Sequence, residues 1–286
     1  MTPRVAALLW LLKLGGASLA GGVVGAISGL GGGIVIVPVL TLFLGIPIQD
    51  AIAASIVSVI AVSSGAGSVY LKDRITNIRI AMFLELSTAA GALFGAAVLT
   101  RWVNPQMLSI LFGSILLISL VPVLARIGEE LPMGVENDRL AAYLRLNGSY
   151  FDRRLGREIA YNVTGIPAAI SLMGLAGIVS GLLGIGAGVV KVLAHEIAMR
   201  VPSKVSTATS NFMIGVTAAA AAGVYLKRGL VLPFLVVPVA VAVVVGAFLG
   251  TLLMERMSNA HVRQVFAAAM GIIGLEMLLR GFTARL

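Results

Sequence analysis

Lys191 is the residue whose placement most needs a chemical reason. It ends the run GIGAGVVK, three residues after Gly188, in an apolar stretch with no other cation. A charge at membrane depth marks a substrate path, meets a counter-ion or snorkels to the interface. Lys191 therefore attracts an anion, or neutralises Glu85 or Glu276, the carboxylates that lie inside apolar runs. Either carboxylate is a candidate carrier of a coupling proton, and structural pairing with a lysine or arginine is the alternative. Ser55 and Ser210, with Thr209 and Asn211 beside the latter, supply neutral donors and acceptors. His195 next to Glu196 reads as an interfacial pair, and His261 as a surface residue. The chain has no cysteine and no HExxH, GxSxG or phosphate-loop pattern, so thiol chemistry is excluded and catalysis has no constellation to rest on. No cofactor and no metal site are expected.

These groups need membrane elements to hold them. Hydrophobic residues make up 59% of the chain and charged residues 12%, about half the charge of a soluble domain, so the protein belongs in a lipid bilayer. Apolar runs fall at roughly 15–44, 51–71, 78–100, 105–125, 163–194, 205–226, 230–254 and 262–279. Most exceed the ~20 residues of a spanning helix, and the period-two alternation of a membrane barrel is missing. The expected fold class is all-α, a polytopic membrane protein of about eight transmembrane elements. Gly31, Gly32 and Gly33 stand together inside the first run, where each costs roughly 1 kcal/mol relative to alanine in a helix. A helix broken at membrane depth is tolerated where it lines a site or lies buried in protein. Gly184, Gly186 and Gly188 repeat the signal in the fifth run.

The repetition is a duplication. Val69-Tyr70-Leu71-Lys72 returns as Val224-Tyr225-Leu226-Lys227, an offset of 155, and Pro47, Ser55, Gly91, Gly95 and Arg101 have counterparts at the same offset. Upstream of the glycine breaks, Gly22, Ser28 and Gly29 match Gly174, Ser180 and Gly181 at an offset of 152. Each half thus holds a glycine-broken element and three further runs: a first membrane repeat over 1–125, a linker over 126–161 and a second repeat over 162–286. The GxxxG pairs Gly91/Gly95 and Gly246/Gly250 are assigned to close helix packing.

Cations lie between the runs rather than on one basic face, which argues for topology and against nucleic acid as a partner. If every run crosses, fifteen lysines and arginines lie on one side and five on the other, with Lys191 within a run; if the broken elements fold back, the division is thirteen to seven. The steeper bias favours crossing elements, parallel repeats, a cytoplasmic linker and both termini in the cytoplasm. The N terminus, with Arg4 and Lys13, reads as the start of the first membrane element rather than a signal peptide. Within the linker, Asp138 to Leu146 is either a short surface helix, with Leu140, Tyr143 and Leu144 against the membrane, or a loop.

The segments SGLGGGIVIVP, from Ser28 to Pro38, and SGLLGIGAGVVKV, from Ser180 to Val192, resemble the paired glycine-rich motifs of the TauE/SafE sulfite-exporter family. Each is followed by a proline and then by an alanine- and serine-containing segment: Pro47 with Ala51 to Ser55, and Pro202 with Ser206 to Ser210. The resemblance extends over about 20–125 and 170–282, with two departures: Ala187 where a third glycine is common, and Leu193 where a proline is common. It implies a secondary transporter in the cytoplasmic (inner) membrane that exports sulfite, sulfoacetate or a related organosulfonate. From the two glycine breaks, the serine segments expected to face them and Lys191, the expected substrate-binding residues are Ser28, Gly29, Gly31, Gly32, Gly33, Ser55, Ser180, Gly184, Gly186, Gly188, Lys191, Thr209, Ser210 and Asn211.

Physical chemistry independently suits an anion, since exposed glycine NH groups and helix N termini favour negative charge. The expected mechanism is alternating access between the halves. An anion channel or a carrier of an unrelated solute is the first alternative; a membrane enzyme or an assembly factor comes after it. Expected partners are a small organic or inorganic anion and the lipid bilayer, and the sequence leaves open whether the chain forms a homo-oligomer.

Overall fold

The structure, a computed structural model, describes residues 3–28, 32–72, 74–125, 132, 134–152, 155–254 and 259–283. The first glycine-rich run divides as expected into α1, Pro3–Ser28, and α2, Gly33–Pro38, which continues into a π-helical turn at Val39–Phe43. α3 (Ile48–Lys72) and α4 (Ile78–Phe94) follow, the latter extended by a second π turn, Gly95–Leu99, and by the short α5, Thr100–Trp102. α6, Pro105–Ala125, completes the first half. The second half contains α8 (Ile166–Leu183), α9 (Gly188–Leu193) with a π turn at Ala194–Ala198, α10 (Ser203–Lys227), α11 (Pro233–Met254) and α12 (Asn259–Thr283). Adding 155 to the bounds of α2, its π turn and α3 gives the bounds of α9, its π turn and α10.

Among the described residues, five helices are long and apolar enough to cross a membrane: Ile48–Gly65, Ile78–Val98, Ile166–Leu183, Ser203–Lys227 and Pro233–Gly250. On α11 the exposed Phe234, Val237, Val241, Val244 and Phe248 form one helical stripe, the surface expected to face lipid. The protein is a polytopic, helical membrane protein.

The linker has more structure than its charge pattern suggests. After α7, Arg139–Tyr143, capped by the Asp138 carboxylate on Ala141 N at 2.6 Å, comes an antiparallel hairpin of β1 (Gly148–Asp152) and β2 (Arg157–Tyr161). Leu140 and Tyr143 are exposed, while Ala141, Leu146 and Tyr150 pack with Ile80, Ile166 and Val205 of α4, α8 and α10. Lys204 reaches both Asp152 oxygens at 2.8 Å, and Asn77 Nδ2 donates to Leu146 O and Tyr161 Oη, both at 2.8 Å. The linker thereby clamps the starts of α4, α8 and α10.

Those contacts correct the expectation of crossing elements. Thr164 N, just before α8, donates to Met199 O, just after the π turn that follows α9, at 3.3 Å. The second broken element therefore enters and returns at the same end, as a re-entrant hairpin. The first does likewise: Gly21 of α1 lies against Val35 and Ile36 of α2, on either side of the break. The homologous helices α3 and α10 run antiparallel, with Val59 near Gly186 and Ile214, Ser63 on Asn211 O, and Ile52 near Tyr225. The two equivalent segments thus run in opposite directions. A second correction follows for the termini: the linker and Lys204 lie at one end, whereas Arg280 near the C terminus reaches Leu42 O at 3.4 Å at the other, so linker and C terminus do not share a side. Charge bias favoured crossing because it is a sum over loops; the fold-back is decided by close backbone packing that a charge sum does not register.

Packing also interleaves the halves. α1 and α3 pack on α11, while α8 and α10 pack on α4; α3 meets α10 along the centre and α6 pairs with α12. Each bundle therefore combines one half's hairpin and following helix with a helix from the other half.

Candidate functional site

The two glycine breaks meet. A Cβ on Gly33, the first residue of α2, would lie 2.8 Å from Gly184 O and 3.0 Å from Ile185 Cα, so this contact requires glycine. Gly32, Gly184 and Gly186 have φ of 74°, 67° and 69°, in the left-handed region where glycine is not penalised. Ala187 occupies the same region at φ 48°, where an L residue is strained, and it stands at the position of the missing third glycine. Ser55 of α3 donates to Gly184 O at 2.9 Å, tying the first repeat's serine segment to the second repeat's break.

Beyond the break, Lys191 of α9 is fully buried and turned toward α10 and α4. Its Nζ donates to Thr217 Oγ1 at 2.5 Å; Thr217 donates to Glu85 Oε1 at 2.6 Å, and Glu85 Oε2 lies 4.0 Å from Nζ. Three elements thus hold a cation, a hydroxyl and a carboxylate in line at membrane depth. Of the two roles open to Lys191, counter-ion to Glu85 is the one this structure occupies. One turn further along, buried His195 has Nδ1 3.1 Å from Ser210 Oγ, while its Nε2 has no hydrogen-bond partner. Among the described residues, Glu85 Oε2 likewise has no hydrogen-bond partner.

The remaining expected site residues divide. Gly32, Gly33, Ser55, Gly184, Gly186 and Gly188 form or adjoin the crossing of the breaks, and Ser180 is buried and its carbonyl accepts from Gly184 N at 2.8 Å. Ser28 ends α1, and Gly29 and Gly31 fall outside the described residues. Thr209 is spent elsewhere, accepting from Asn77 N at 3.1 Å to hold the α3–α4 loop, and Asn211 offers its carbonyl to Ser63. Glu276 does not belong to the site: its carboxylate is half exposed on α12 and bonds Arg280 at 3.1 Å, one helical turn away. His195, read from sequence as part of an interfacial pair, is fully buried within the protein.

Thr217 was not singled out from sequence, although the duplication contains a signal for it. At the 155 offset Lys191, His195, Thr217 and Glu85 correspond to Ile36, Leu40, Val62 and Ala240. The polar cluster consists of positions where one copy is polar or charged and the other apolar. A search for shared residues passes over them.

Among the described residues, no three His, Asp or Glu side chains are grouped to hold a metal. No solved structure matches the chain. Two curated proteins of Bacillus subtilis (strain 168) do: probable membrane transporter protein YunE, 26% identical over 92% of this chain and 95% of its own length, and probable membrane transporter protein YdhB, 26% identical over 90% and 96%. The family model described as sulfite exporter TauE/SafE matches residues 14–277, both hairpins, the linker and the Lys191 cluster included. With that span matched, the chain belongs to the TauE/SafE family of membrane transporters.

Proposed function

We propose that this protein is a secondary transporter that exports a small sulfur-containing anion, such as sulfite, sulfoacetate or a related organosulfonate, across the inner membrane by alternating access. The observation that carries the reading is a fully buried lysine beside the crossing of two re-entrant breaks, in a chain of this family. Lys191 binds the anion when it exchanges its bond to the Thr217–Glu85 pair for the substrate, and the unpaired Glu85 then takes the coupling proton. Ser55, Ser210 and the glycine backbones of the breaks complete the site, and no catalytic step is involved.

Orientation follows from the inverted layout. The linker end carries thirteen lysines and arginines in its connections and the opposite end seven, so the linker faces the cytoplasm and both termini face outward. The membrane potential favours anion exit by about 2.3 kcal/mol per charge per 100 mV.

Proteoliposomes loaded with sulfoacetate or sulfite test this. A carrier gives saturable flux accelerated by the same anion on the opposite side, whereas current without counterflow means a channel and no flux of either anion refutes the substrate class. With potential clamped, flux that follows the pH gradient assigns a proton to the cycle; flux that follows potential alone removes Glu85 from coupling.

A further inference from the structure

We infer that the cavity at the end opposite the linker is an oxyanion-binding vestibule, distinct from the Lys191 cluster; the inference rests on the anion-transport reading for its role, not for its existence. The cavity has a volume of about 390 Å³ and is lined by Gln49, Ile52, Arg101, Tyr225 and Arg228, with leucines between them. Two guanidinium groups and an amide border one volume, and among the described residues no carboxylate lines it. Arginine presents a planar fork of donors that matches two oxygens of a sulfonate, sulfite or sulfate, and does so in a fixed charge state. The volume exceeds that of one such anion, leaving room for it to retain bridging water.

The walls are fixed by contacts already made. Arg228 donates to Ala97 O in the π turn after α4, which holds its guanidinium against the cavity wall, while Arg101 is exposed at the rim. The floor is the second break: Tyr225 Oη donates to Gly181 O at 3.0 Å, and Ile52 O lies 2.8 Å from where a Cβ on Gly184 would stand. Lys191 lies beyond that floor, bonded to Thr217, which precedes Tyr225 on α10 by eight residues or about 12 Å of helix. A ligand in the cavity is therefore separated from Lys191 by the glycine crossing. The duplication makes the two mouths unequal, because at the 155 offset Arg101 corresponds to Arg256 but Arg228 corresponds to Asp73.

The test is calorimetric titration of the purified full-length protein with sulfoacetate and with sulfate at two ionic strengths. Arg101→Gln and the double variant with Arg228→Gln are expected to weaken binding at least tenfold, Arg228→Lys to keep part of it, and Lys191→Met/Glu85→Gln to leave the vestibule component in place. Oxyanion binding that is absent in the wild type, or unchanged in a folded Arg101→Gln variant, overturns the vestibule. Loss of binding in the arginine variants from a protein that transports neither anion leaves the vestibule standing and rejects the substrate assigned above.

Discussion

At the scale of single residues, the decisive group is the Lys191–Thr217–Glu85 line. Burying one charge without a partner costs several kcal/mol, so neither ion is stable at this depth alone. Lys191→Met is accordingly expected to destabilise the fold by about 3–5 kcal/mol, because Glu85 loses its cation in a buried site. Adding Glu85→Gln restores most of that loss, since the amide still accepts from Thr217, but the double variant does not transport. Thermal melts of both variants in one detergent check the first part, and a Lys191→Met protein that melts like wild type would show that the pair does not form. The cluster belongs to one repeat only, its counterparts being Ile36, Leu40, Val62 and Ala240. Pseudosymmetry therefore gives the site its frame, and the charge breaks that symmetry.

At the scale of elements, each glycine break turns a helix back within the protein. Gly184 combines a left-handed φ of 67° with a neighbour, Ile52 O, that would stand 2.8 Å from any Cβ. Gly184→Ala is expected to cost more than about 2 kcal/mol, from backbone strain and forced separation of α3 from the break. Ala187→Gly acts in the opposite sense: relief of about 1 kcal/mol of left-handed strain, offset in part by chain entropy, leaves stability equal or higher. Melting the two variants in parallel checks both signs. The linker hairpin is an element of the same kind, a fixed brace rather than a tether. Lys204→Met removes the ammonium that reaches both oxygens of the largely buried Asp152 carboxylate, and a loss of about 1–3 kcal/mol is expected, again read by melting temperature.

At the scale of the whole molecule, the packed bundles do not coincide with the sequence halves. α1, α2, α3 and α11 form one bundle and α8, α9, α10 and α4 the other, meeting along α3 and α10. The alternating access proposed above, taken as rocking of one bundle on the other, would shear that seam. A cysteine pair at Ser63 and Gly215 tests this, since a Cβ on Gly215 would lie 3.1 Å from Ser63 Cβ and the chain has no native cysteine. Oxidation is expected to reduce transport at least tenfold and reductant to restore it. Full transport by the cross-linked protein would rule out motion along this seam.

Much of this was written in the sequence. Apolar runs determined a helical membrane protein and the clustered glycines located the breaks, because hydrophobicity and backbone freedom are local in the chain. The depth of Lys191 was legible for the same reason. Its partner was not: Glu85, Glu276 and an anion were equal candidates, and only the packing of α4 beside α10 chose Glu85 and left Glu276 with Arg280. Fold-back against crossing, and with it the side of the C terminus, was also decided in three dimensions. A broken apolar run satisfies its backbone equally well by either route, and what separates them is the contact of Thr164 with Met199 and of Gly33 with Gly184, residues far apart in sequence that meet only in the folded bundle.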